Sequence, residues 1–95
     1  MNENESIEFK ENYTEKIYKE IIAFLNTNSG TIYIGYDDNG NLIGVDNCKD
    51  IEEKISNGVR TNIYPDARIF VSINTGKIED KEYIIIKVMH ILINT

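Results

Sequence analysis

The fold class this sequence predicts is α+β: a two-layer sandwich with two helices packed on one mixed sheet, in the order β-α-β-β-α-β-β. Three observations lead there. Ile17, Ile21, Phe24 and Leu25 recur at helical spacing, and Ile51, Ile55, Val59 and Ile63 do so again further on. Around these stripes stand short β-branched and aromatic runs with a period of two. Asn39-Gly40, between two apolar runs, is a strong hairpin signal because both residues accept positive φ.

Taken in order, Ile7 and Phe9 alternate with Glu8 and Lys10, so residues 6–11 read as a short strand with one apolar face. Asn12-Tyr13-Thr14 opens the first helix, with Thr14 as the expected N-cap and Glu15 at the positive end of its dipole. Tyr18 and Ile22 widen its stripe, and Gly30, in the left-handed conformation, is expected to close it. Residues 31–36 form a strand, residues 37–41 a turn, and residues 42–45 a returning strand. Asp46-Asn47 caps a second helix over residues 49–62, which Gly58 weakens by about 1 kcal/mol relative to alanine. Tyr64-Pro65 stops that helix. Residues 68–74 alternate as a strand, with Ile69, Val71 and Ile73 on one face and Phe70 on the other. A polar turn is expected over residues 75–82. Residues 83–89 form the last strand, whose Ile84-Ile85-Ile86 run places it centrally in the sheet.

At 95 residues the chain is a single domain. With 41% hydrophobic residues and one proline it is a folded domain, not a disordered segment. No apolar run approaches the roughly 20 residues of a membrane helix, and the first residues are polar and acidic, unlike a secretory leader. The single cysteine, Cys48, has no internal partner, which fits a reducing compartment; we expect a cytoplasmic protein. Residues 1–48 hold nine acids and three bases, whereas residues 49–95 hold seven of each, so the whole net charge of −6 lies in the first half. That balance disfavours tight duplex binding, which draws its affinity from lysines and arginines displacing counterions.

Residues 2–12 contain ENESIEFKEN, and residues 23–45 contain AFLNT-x-x-G-TIYIG-x-DD-x-G-x-L-x-GV. Together, and in this order, they resemble the Schlafen/Alba-type domain, the divergent, AAA-associated module known as a DNA-binding domain of bacterial regulators. The likeness covers about residues 3–88. It implies an Alba-like two-layer sandwich and a nucleic-acid-binding module of a bacterial transcriptional regulator. It also implies an alternative, a metal-dependent endoribonuclease. In that reading the chain's Glu3, Glu8 and Asp38, with Asp37 as the near substitute for Asp38, hold Mg or Mn, which activates water and stabilises the departing oxygen. Ser29 stands where the family has a glycine, and Cys48 and His90 alone do not make the zinc site of animal relatives. The family pattern continues beyond the last strand, so we expect this chain to be cut short at its C-terminal end from a longer protein.

The residues themselves supply further candidates. Lys10, Lys16 and Lys19 are the only bases of the first half and make one potential phosphate-contacting patch; Arg60, with Arg68, makes a second. Tyr36 and Tyr64 are candidates for stacking on unpaired bases. Each has a plainer reading: lysines on a solvated face, tyrosines in the core, and Asp37-Asp38 as turn residues that bond their own backbone. Glu3 and Glu8 lie five apart and converge only if the chain bends before Ser6. His90 reads as structural and Cys48 as unreactive. An oligomerisation domain, pairing through a sheet edge or the Ile-rich C-terminal run, is the third reading.

Overall fold

In the computed structural model, which describes residues 6–63 and 65–90, the elements are β1 (Ile7–Lys10), α1 (Ile17–Asn26), β2 (Gly30–Ile34), α2 (Cys48–Asn62), a 3-10 helix (Pro65–Phe70), β3 (Val71–Ile78) and β4 (Lys81–Val88). The strands form one mixed sheet in the order β1-β2-β4-β3, with β1 parallel to β2 and β4 antiparallel to both of its neighbours. Two helices on a mixed sheet are the α+β architecture read from the sequence, and β4 is central as expected.

One face of the sheet packs under the helices. Ile32 and Ile34 of β2 pair in register with Ile86 and Ile84 of β4, and all four are fully buried. Ile17, Ile21, Phe24 and Leu25 of α1 and Ile55 and Val59 of α2 close over them in one cluster. Each such side chain contributes about 1.5–3 kcal/mol on leaving water. The helical stripes read from spacing are therefore the core itself.

Several boundaries differ from the sequence expectation. The first turn of α1 is tightened by bonds from the N–H groups of Ile17 to the Thr14 carbonyl (3.2 Å) and of Tyr18 to the Glu15 carbonyl (3.3 Å), so Thr14 contributes backbone and Lys16 occupies the cap without a side-chain bond. At the other end, the Thr27 N–H and hydroxyl both donate to the Ala23 carbonyl. Gly30 does not end the helix. It opens β2, and an added Cβ there would collide with the Phe24 ring. Asn47, not Gly30, takes a left-handed conformation at a helix end, with φ 57° at the start of α2.

The hairpin expected at Asn39-Gly40 shrinks to one isolated bridge between Tyr36 and Leu42. The reason is topological. Both edges of β2 are already occupied, by β1 and by β4, so a strand returning along β2 finds no partner. Residues 42–45 instead fold back onto Gly35, whose carbonyl accepts from the N–H groups of Ile43 (2.8 Å) and Gly44 (2.9 Å). Val45 N–H then donates to the Glu82 carbonyl at 2.9 Å. The sheet's true hairpin is β3–β4. It runs to Ile78 and turns through Glu79 and Asp80 alone, both at positive φ (49° and 67°), as a type I′ turn requires. Ile69 belongs to the 3-10 helix begun by Pro65, and it is 84% exposed instead of facing the core. Val71 and Ile73 pack against the core as expected, and so does Phe70, expected on the opposite face, because it ends the 3-10 helix instead of alternating within a strand.

Candidate nucleic-acid interface

The register of the sheet assigns each strand side chain to a face. Glu8 and Lys10 stand opposite Ile32 and Ile34, so both belong to the helix-bearing face. Lys10 reaches Glu20 of α1 at 2.8 Å, with both side chains about three-quarters buried (27% and 24% exposed). Its charge is matched inside the fold, which leaves Lys10 less suited to a phosphate than its neighbours. Lys16 is exposed at the N-cap of α1, Lys19 on α1 itself, and Arg60 in the last turn of α2.

Lys19 lines a groove of about 470 Å³ between α1 and α2, together with Lys54, a cation the sequence reading did not single out. Tyr13 and Tyr18 form its wall. Their hydroxyls lie 2.9 Å apart, and the Tyr18 hydroxyl donates to the Lys54 carbonyl at 3.2 Å. The Lys54 ammonium sits 5.8 Å from the Tyr13 ring centroid, within cation–π range. Burial, then the bond to Tyr13, raises the Tyr18 phenol above its ordinary value.

The carboxylates divide by role. Asp37 is a turn residue: one oxygen accepts from the N–H groups of Asn39 and Asn41, both at 2.9 Å, and the other from the Asn41 side chain at 3.2 Å. The Asn41 N–H bond foremost holds its carboxyl below the usual range. Asp38 is exposed beside it. Glu8 is half-buried on the edge strand, and Glu3 lies outside the described residues. No three His, Cys, Asp or Glu side chains gather among the described residues. Of the three-carboxylate set, the described residues include Glu8 and Asp38.

His90 and Cys48 have structural surroundings. A His90 ring nitrogen bonds the Leu25 carbonyl at 2.8 Å, satisfying an end carbonyl of α1, and the His90 backbone N–H donates to the Ser29 hydroxyl at 3.1 Å. Cys48 is buried, and burial foremost pushes its thiol up, away from the reactive thiolate.

The face away from the helices carries side chains of a different kind. Phe9 of β1 stands opposite Tyr33 of β2, and Tyr36 and Tyr83 extend the cluster across the sheet. Sequence reading named Tyr36 but not Tyr33 or Tyr83. The signal was the alternation of Tyr33 with Ile32 and Ile34, which puts the tyrosine opposite the core. Tyr64, the other stacking candidate, lies outside the described residues.

No helix of the described residues is long and apolar enough to cross a membrane. No curated protein and no solved structure matches the chain. The sequence does match the Schlafen, AlbA_2 family over residues 3–92, nearly its whole length. With the α+β sandwich and the two sequence motifs in place, the chain belongs to the Schlafen, AlbA_2 family, a nucleic-acid-associated group of domains.

Proposed function

We propose that this domain is a nucleic-acid-binding module of a transcriptional regulator and acts by binding, not by cutting. The observation that carries this reading is the family match over residues 3–92. The placement of cations supports it. Although the net charge is −6, Lys16, Lys19 and Arg60 are exposed on the helix layer, and Lys54 joins Lys19 along the inter-helix groove. These side chains supply attraction to phosphates, while Lys10 remains held by Glu20.

Fluorescence anisotropy with labelled single-stranded and duplex DNA and RNA, repeated from about 50 to about 200 mM salt, tests the reading. Binding should weaken linearly with log salt. Lys16→Glu with Lys19→Glu should lower affinity for all sequences about equally. Absence of binding to every probe at about 50 mM salt would refute the function.

A further inference from the structure

We propose that the helix-free face of the sheet is the surface that holds single-stranded nucleic acid, with Tyr33, Tyr36 and Tyr83 stacking on bases and Lys87 meeting the backbone. This deepens the nucleic-acid reading above and rests on it.

The face is built for flat, unpaired rings. Tyr83 of β4 stands opposite Gly76 of β3, and an added Cβ on Gly76 would collide with the hydroxyl end of the Tyr83 ring. The glycine therefore lets the ring lie down across the neighbouring strand instead of standing up from the sheet. Tyr36 bridges to it at 6.2 Å between centroids, and Tyr33 follows Tyr36 at 5.3 Å. Phe9, only 4% exposed, lies 5.6 Å from Tyr33 and 6.1 Å from Tyr36 and forms the floor of the cluster. The three tyrosines above it are half-buried, so each keeps part of its ring in solvent. Aromatic rings arrayed this way accept any base, because every base has a π-face.

Charge on this face is one-sided. By register, the strand positions facing away from the helices include Lys81 and Lys87 but no acid, whereas Glu8 and Glu82 both point to the helix side. In a chain of net charge −6 this is the reverse of the overall balance. Lys87 is exposed at one end of β4. Lys81, at the other end, donates to the Leu42 carbonyl at 3.4 Å, so it marks the rim. The two lie six residues apart, roughly 20 Å along a strand, and Tyr83 and Ile85 fall between them. A polyanion complements this surface. The same strand positions of a second copy would bring further lysines and no acid.

The test is anisotropy with fluorescein-labelled oligothymidine and oligouridine of about 15 nucleotides, with the matching duplex alongside. Tyr83→Ala should weaken single-strand binding by about 5- to 150-fold, the range for losing one stacked base. Tyr83→Phe, which keeps the ring over Gly76, should stay near wild type. Lys87→Glu, a fully surface change, should weaken binding and flatten its salt dependence. The lysines of the helix layer lie on the opposite side, so the variants separate the two surfaces. Binding that falls with Lys16→Glu and Lys19→Glu but ignores Tyr83→Ala and Lys87→Glu would overturn this inference and leave the function standing. Binding to no nucleic acid at all would remove both. A concentration-dependent dimer that Tyr83→Ala dissolves, with oligonucleotide binding unchanged, would make the face an interface between copies and overturn the inference.

Discussion

Replacing Gly58 with alanine should destabilise this protein, although elementary helix chemistry says the opposite. In the interior of α2, alanine is favoured over glycine by about 1 kcal/mol. In the fold, however, a Cβ at position 58 would meet the hydroxyl end of Tyr18. That ring is not at liberty to swing away: it is 8% exposed, bonded to the Tyr13 hydroxyl, and donates to the Lys54 carbonyl. Displacing it costs about 1–3 kcal/mol of overpacking, and a lost hydrogen bond adds about 1 kcal/mol. Set against the helix gain, the net destabilisation is about 1–3 kcal/mol. Urea unfolding followed by circular dichroism should show the midpoint falling by about 1–3 M for an m-value of about 1 kcal/mol/M. The decisive comparison is Gly58→Ala in a Tyr18→Leu background, where the obstructing hydroxyl is gone. There the same change should stabilise by about 1 kcal/mol. A stabilising Gly58→Ala in the wild-type chain, or an equal effect in both backgrounds, would refute the reasoning.

Three further outcomes are expected. Glu79→Asn with Asp80→Gly should raise stability by about 1–2 kcal/mol in the same unfolding assay, because both residues hold positive φ that their side chains disfavour. In a calorimetric manganese titration, Glu8→Ala should leave the heats unchanged and RNA should stay uncut; saturable binding below about millimolar metal that Glu8→Ala abolishes would restore the three-carboxylate nuclease. The third concerns Tyr18, whose folded phenol is held above its ordinary value of 10.0 by burial and by Tyr13. The unfolded chain loses that proton first. Stability should therefore be fully present below about pH 10 and decline above it, and Tyr18→Phe should reduce the decline, as read by unfolding at successive alkaline pH values.

The sequence alone determined the helical stripes, the apolar character of β2 and β4 and the central place of β4, because these depend on local spacing and on which side chains leave water. Ile17, Ile21, Ile55 and Val59 all ended in the core their periodicity required. The family motifs were legible for the same reason: they are contiguous. What spacing could not supply was competition between partners. Asn39-Gly40 has better turn chemistry than Glu79-Asp80, yet the extended hairpin formed at the second pair, since β1 and β4 had taken both edges of β2 while β4 still had an edge for β3. The glycines show the same limit. Gly30, Gly58 and Gly76 matter for the rings of Phe24, Tyr18 and Tyr83, which arrive from elsewhere in the chain. Lys10 looked like a surface cation until α1 brought Glu20 to it. Tyr33, Tyr36 and Tyr83, separated in sequence, became one surface only when β2 and β4 paired. Local chemistry chose the elements, and the tertiary structure decided which of their side chains meet, because long-range pairing is a property of the whole sheet and of no single stretch.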